Sequence, residues 1–397
     1  MRRKMVWNFE MRRFINMGVR MCLLLLVITF IQPGSASAQA TIERLGDASA
    51  GAISQVAMTA LGNRVVTAVR TGGGYLKLIA WQVTSGGEIE RLGDATAGAI
   101  GEVAITSLSS MEGDRVVTAV RTGSGYLKLI VWQVTGQGQI ERLGDATGNA
   151  IDQVAMASVG GNRVVTACRD AHSNLKLIAW DVSAQGQIQA LGSAAAGAIS
   201  QVAIVGLRAV GSDARMLTAV RTGSGYLKLI AWDVSAQGQI ERKGDAAAGA
   251  ISQVAMTFVT TLGFPPEAEV VVTAVRTSSG FLEPIAWYVD DYASGQVTRG
   301  ASAVAEAISQ VAASTVRPAF MPDMLVTAVA TSSGLLRLIV WDVGTGDIMD
   351  SLGVADATPT ISQVAVTNLA MQTRVVTAVR TNMGYLQLTV WEVKMSP

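Results

Sequence analysis

The segment Ile42–Val83 reads IERLGDASAGAISQVAMTALGNRVVTAVRTGGGYLKLIAWQV, and near-copies of it recur to the end of the chain. A tryptophan close to the end of each copy marks the period: Trp81, Trp132, Trp180, Trp232, Trp287, Trp341 and Trp391, with gaps of 51, 48, 52, 55, 54 and 50 residues. A period near 50 that holds several short apolar runs is the sequence signature of a propeller or a related array. Four runs stand out in the first copy, at Ile53–Leu61, Arg64–Thr71, Tyr75–Val83 and Glu88–Leu92. The breaks between them, Leu61-Gly-Asn, Gly72-Gly-Gly and Ser85-Gly-Gly, carry turn chemistry. Each run has strand length and none shows helical periodicity. Many are apolar on both faces, so something must cover each side of the sheet, and stacked blades do that.

Seven copies span residues 41–84, 88–135, 139–183, 187–235, 239–290, 296–344 and 347–394. The predicted fold is therefore all-β: a seven-bladed β-propeller of four-stranded antiparallel blades, forming one domain over residues 39–397. At 397 residues the chain exceeds the roughly 250–300 at which single cores stop growing. A repeat array escapes that limit, because each unit buries its apolar faces only against its neighbours. The chain enters on the outer strand, at Thr41–Arg44, and leaves on the strand before it, at Trp391–Val393. The N-terminal strand is thus expected to join the last blade and remove an exposed edge.

Residues 1–38 differ from the rest. Arg2, Arg3, Lys4, Arg12, Arg13 and Arg20 precede the apolar run Met21–Ile31, and small residues follow. This is the order of a secretory signal, with cleavage expected after Ala38 or Ala40. The apolar run is short of the about 20 residues that a membrane span needs, so no span is expected after cleavage. The protein is expected to be exported, to a periplasm or out of the cell. Without residues 1–38, 25 basic residues face 29 acidic ones, a net charge of −4. Nucleic-acid binders carry the opposite balance. Cys168 is then alone and is read as a buried, inert thiol.

The order of a GAISQVA strand, an RVVTAVRTGSG strand, a YLKLIAWDV strand and a GQIERLGD strand resembles the plan of WD-repeat propellers. Trp180-Asp181, Trp232-Asp233 and Trp341-Asp342 fall where that family keeps its own dipeptide. The resemblance covers residues 41–394, although the unit is longer and no copy has the family's Gly-His pair. It implies a binding platform, by analogy of architecture.

No nucleotide-binding or metal-ligand motif accompanies these strands. The single histidine, His172, lies in the DAHSN turn, where it reads as a solvated hairpin residue. No catalytic residue, metal or cofactor is assigned. The strand order puts the GDA loop entering the first strand on the same face as the hairpin between the second and third, which places Asp47, Asp94, Asp145 and Asp245 near Arg70, Arg121, Arg169 and Arg276. The joint loss of both in the sixth copy, at Ser302 and Ala330, hints at pairing. Arg70, Arg121, Arg221, Arg276 and Arg380 each lie five residues before an aromatic, at Tyr75, Tyr126, Tyr226, Phe281 and Tyr385. An aromatic face beside a fork of donors suits sugars or anionic side chains. Lys77, Lys128, Lys176 and Lys228 read as solvated. Gln55, Gln153, Gln201, Gln253, Gln310 and Gln363, with Glu102 in the second copy, recur on the innermost strand and are read as partners of buried backbone. Phe264 and Phe320, in two long loops, form an alternative partner patch.

The expectation is a monomeric, exported, non-enzymatic propeller that presents Arg, Asp and Tyr groups to a protein or glycan. The alternatives are a channel-sited hydrolase or lyase using Glu102 and Asp152, or a structural envelope protein.

Overall fold

The computed structural model describes residues 39–396 except 109–113, 211–212, 261–267, 291–293, 319–321, 344–348 and 370–372. The signal read at residues 1–38 lies outside the described residues, and so do Phe264 and Phe320. The described residues contain no helix; their 22 strands pair antiparallel.

The second half of β1 (Ala40–Leu61) forms sheet I with β2 (Arg64–Thr71), β3 (Tyr75–Val83) and the start of β4 (Ile89–Leu108). The rest of β4 opens sheet II, followed by β5 (Arg115–Thr122), β6 (Tyr126–Val134) and the start of β7 (Ile140–Ser158). Sheet III continues with β7, β8 (Arg163–Asp170), β9 (Asn174–Val182) and β10 (Ile188–Val210). Sheet IV holds β10, β11 (Asp213–Thr222), β12 (Tyr226–Val234) and β13 (Ile240–Val259). Sheet V holds β13, β14 (Ala268–Thr277), β15 (Leu282–Asp290) and β16 (Val297–Ser302). Sheet VI holds β17 (Ile308–Val316), β18 (Met324–Thr331), β19 (Leu335–Asp342) and β20 (Asp350–Asn368). Sheet VII holds β20, β21 (Arg374–Thr381), β22 (Tyr385–Met395) and the first half of β1, which runs against β22 from Ala40–Met395 to Ala52–Tyr385.

The second and third strands of the first copy fall where the turn chemistry put them. The fourth does not end at Leu92: β4 runs on to Leu108 and serves two sheets. The GDA segment resembles a turn in sequence, yet it lies within the strand. Its Gly93 is required for a different reason, since a Cβ there would sit 2.6 Å from the Gly138 carbonyl oxygen of the next sheet. Register shifts opposite Trp81 and Lys77, and again between Ile100 and Glu102, bend the long strand from one sheet into the next.

Alternation along each strand explains the doubly apolar runs. Val66, Ala68, Leu76 and Leu78 of sheet I pack with Val116, Val120 and Trp132 of sheet II. Val65, Val69, Ile79 and Trp81 face the other way, onto Val376, Leu386 and Leu388 of sheet VII. Comparable apolar clusters join II to III, III to IV, IV to V, V to VI and VI to VII. Every sheet is therefore covered on both faces by another.

The tryptophans are core residues, and each also makes a polar contact. In all seven sheets the indole Nε1 donates to a buried threonine hydroxyl, from Trp81 to Thr67, Trp132 to Thr118, Trp180 to Thr166, Trp232 to Thr218, Trp287 to Thr273, Trp341 to Thr327 and Trp391 to Thr377, at 2.9–3.0 Å. Trp132→Phe keeps most of the apolar burial but strips Thr118 of its donor. A loss of about 1–3 kcal/mol is expected from urea unfolding. Adding Thr118→Val is expected to recover part of it, so that the pair costs less than the sum of the single changes.

Candidate functional site

The arginine series is built into joints between sheets. The register shift before each inner strand takes one carbonyl out of the ladder, and a guanidinium accepts the role of its partner. Arg70, Arg221, Arg276 and Arg380 donate through Nε to the carbonyls of Ile100, Ile251, Ile308 and Ile53 in the adjoining sheet, at 2.6–2.8 Å. Their Nη1 atoms donate to Ser54, Ser200, Ser252 and Ser362 of their own sheet at 2.7–2.8 Å. Arg121 reaches Ile151 in the same way at 2.8 Å, with Gly101 in the serine position. Arg169 instead bonds Asp152 at 2.9 Å.

The expected pairing of these arginines with the GDA aspartates is corrected. Asp94, Asp145 and Asp245 sit on the outer strands and take Lys77, Lys128 and Lys228 of the neighbouring strand at 3.3, 2.8 and 2.9 Å. Each also pairs with the arginine three residues before it, Arg91, Arg142 or Arg242; Asp47 pairs with Arg44 at 2.8 Å. These contacts hold the carboxyls of Asp94, Asp145 and Asp245 below the usual carboxylate range, against the opposing pull of partial burial. The lysines read as solvated are ion-paired in these three sheets.

The aromatic series occupies the hairpin between second and third strands. Tyr75, Tyr126, Tyr226, Phe281 and Tyr385 are 43–55% exposed. Their backbone amides are fixed by Thr71, Thr122, Thr222, Thr277 and Thr381 hydroxyls at 3.0–3.1 Å. Gly74, at φ +88°, turns the chain directly over Arg70, where a Cβ would meet Nη2 at 3.2 Å. The arginine thus lies close beneath the hairpin tip while the aromatic side chain is exposed. Asn174 and Leu335 hold the aromatic position in sheets III and VI.

Beside the hairpins, grooves open between neighbouring sheets. One of about 190 Å³ lies between sheets VII and I, lined by Ala50–Ile53 on one wall and Lys77, Ile79 and Arg91 on the other. Its counterpart between sheets III and IV, of about 230 Å³, has Ala196–Ile199 facing Lys228, Ile230 and Arg242. A third lies between sheets II and III and is larger, about 340 Å³.

The fold is β-propeller-like. Sqt1 of Saccharomyces cerevisiae is similar with a TM-score of 0.54 at 12% identity, over 88% of this chain and 99% of Sqt1. A protein from Lactobacillus plantarum gives 0.47 at 13% identity, over 76% of this chain and 87% of its own. A triple arginine-to-alanine variant of AofleA from Arthrobotrys oligospora gives 0.48 at 11% identity, over 81% and 92%. At such identities the likeness concerns the fold alone. No family model matches the sequence, and no curated protein does.

Of the inner-strand glutamines, Gln55 and Gln253 serve backbone as expected, Gln310 accepts from Gln253, and the buried Oε1 atoms of Gln153 and Gln363 have no hydrogen-bond partner among the described residues. Gln55 accepts from the Val103 amide and Gln253 from that of Val311, both at 3.1 Å, each across to the next sheet. Glu102 takes the Val154 amide at 3.2 Å in the same manner. Burial pushes the Glu102 carboxyl up to about 7, against the pull of that amide, Arg121 and Arg169. Cys168 is buried, and burial raises its thiol to about 12, a value that keeps it protonated and inert. His172 is exposed in its turn, with its amide on Asp170.

Sequence reasoning missed a second arginine series. Arg64, Arg115, Arg163 and Arg374 begin the second strands and Arg215 is the third residue of its own; they donate to the carbonyls of Thr135, Ser183, Ser235, Thr84 and, for Arg215, Asp290 in the adjoining sheet. The available signal was a recurrent arginine opening an otherwise apolar run.

Proposed function

We propose that the protein is an exported, closed seven-bladed β-propeller that binds a glycan through one face and catalyses no reaction. Seven sheets of four strands, each packed on two neighbours, and the pairing of β1 with β22 support the closed form. The leader composition of residues 1–38 supports export. The observation that carries the binding reading is the aromatic series: five large side chains, about half exposed, stand at equivalent hairpins. Because every sheet has the same strand order, those hairpins share one face. Exposed aromatic surface repeated in this way favours a ligand that itself repeats, since each ring stacks on a sugar and avidity exceeds any single contact.

In this reading Arg70, Arg121, Arg221, Arg276 and Arg380 are positioning residues, and Tyr75, Tyr126, Tyr226, Phe281 and Tyr385 touch the ligand. The double variant Tyr126→Ala/Tyr226→Ala is expected to lower apparent glycan affinity by about tenfold on an array, as loss of two linked contacts would, with thermal stability unchanged. Binding of the wild type to a protein partner alone, or an unchanged array signal from the double variant, would refute the reading.

A further inference from the structure

One position, on the third strand of each sheet two residues past the hairpin aromatic, carries a charge in six of the seven sheets. Lys77, Lys128 and Lys228 are neutralised by Asp94, Asp145 and Asp245. In sheet V the position is Glu283, paired with Arg299 at 3.0 Å, and in sheet VI it is Arg337, paired with Glu306 and Asp356 at 2.6 and 2.5 Å. Sheet VII has the neutral Gln387. Sheet III has Lys176, and there the aspartate is Ser193 and the helper arginine is Ala190. Among the described residues Lys176 makes no ion pair.

Both walls of the groove around Lys176 have changed. On the sheet III side, Ala190 and Ser193 stand where the sister sheets hold the arginine and aspartate that flank the lysine, and Trp180 joins the lining. On the sheet II side, the Ala-Gly of the sister grooves (Ala50-Gly51, Ala196-Gly197) is replaced by Gly148-Asn149, next to Thr147. The changes on the two walls, at Gly148-Asn149 and at Ala190 and Ser193, fall in successive repeats. Together the changes enlarge the groove to about 340 Å³, against about 190 and 230 Å³ in its sisters. What results is an ammonium without an ion pair in a groove that Thr147, Asn149, Ser193 and Trp180 also line. A stripped cation in a concave, polar site is a receptor for an anion, and the hydroxyls and amide supply hydrogen-bond partners for a polyol.

We propose that the groove between sheets II and III is a single binding site for a carboxylate-bearing, monosaccharide-sized ligand, with Lys176 pairing the carboxylate and Asn149, Thr147 and Ser193 taking hydroxyl groups. It is a site separate from the aromatic series.

The test titrates the full chain by calorimetry with glucuronate and N-acetylneuraminate, and with glucose and N-acetylglucosamine as neutral probes. At least one acidic sugar is expected to bind with one-to-one stoichiometry, and both neutral sugars to bind at least about tenfold more weakly, as loss of a charge-assisted bond predicts. Ser193→Asp restores the aspartate that three sister sheets hold against their lysines, so it is compatible with the fold. It is expected to weaken the acidic sugar by about tenfold or more by neutralising Lys176 in place; Lys176→Ala is expected to do the same. Failure of both acidic sugars to bind, equal binding of the neutral ones, or indifference to both substitutions would overturn the proposal. Tyr126→Ala/Tyr226→Ala is expected to leave this titration unaltered, which separates its failure from failure of the aromatic reading.

Discussion

Arg215→Ala is expected to destabilise the protein by roughly 3–5 kcal/mol, the cost of removing one member of a buried ion pair. The Arg215 side chain is 1% exposed. Its Nε and Nη2 grip the two oxygens of Asp233 at 2.8 and 3.2 Å, and Nη1 donates to the Asp290 carbonyl in sheet V. Truncation therefore leaves a largely buried carboxylate, a carbonyl without that donor and a cavity, all at one joint. Lys243, at 3.7 Å from Asp233, offsets part of the charge, which argues for the lower end of the range. Chemical unfolding of Arg215→Ala beside Arg215→Met separates the terms, because methionine fills the volume without pairing the charge. If the alanine variant lost less than about 1 kcal/mol, the level of an exposed surface pair, the joint would not be a source of stability.

The value of such joints explains which features were legible in the sequence. Turns at Gly62, Gly74 and Gly87 and the tryptophan period are local, so residue type alone announces them. The partner of Arg70 is not local: it is the carbonyl of Ile100, thirty residues on, turned out of the ladder by a register shift that no side-chain pattern records. Asp47 looked like the natural partner, because acid and arginine vanish together in the sixth copy. The acid belongs instead to a cluster on the outer strand, with Arg44. The GDA segment misled in a related way. Its glycine resembles a turn residue, but it serves a close approach between neighbouring sheets, and that requirement arises only once the sheets are stacked. The aromatic hairpins were legible because exposure there follows from the turn itself. The lone Lys176 was not, since its character depends on what its neighbours across the groove have lost.

Glu102→Gln is expected to make the protein more stable above pH 7 and to remove a slope from its pH profile. Glu102 stands where the sister inner strands carry glutamine, and it performs the same task, accepting the Val154 amide. The difference is that it ionises in a recess. Burial raises its carboxyl from 4.5 to about 7; Asp152 adds to the rise, while the Val154 amide, Arg121 and Arg169 oppose it. The folded state thus holds a proton that the unfolded chain releases near pH 4.5. Stability is then greatest below that pH as far as this group is concerned, falls as pH rises from 4.5 to about 7, and levels off above. The fall is roughly 3 kcal/mol at most, from the size of the shift. The outer-strand aspartates act in the opposite sense, because their lowered values protect the fold above their unfolded range and fail it on acidification. Glutamine at 102 keeps the bond to Val154, as Gln55 and Gln253 do for Val103 and Val311, without a charge to desolvate. Urea midpoints measured from pH 4 to 8 are expected to diverge between wild type and variant as pH rises, with the variant ahead at pH 8. Parallel profiles would mean that water or a rotation of the side chain solvates the carboxylate, and that the inner strand tolerates a charge at this position.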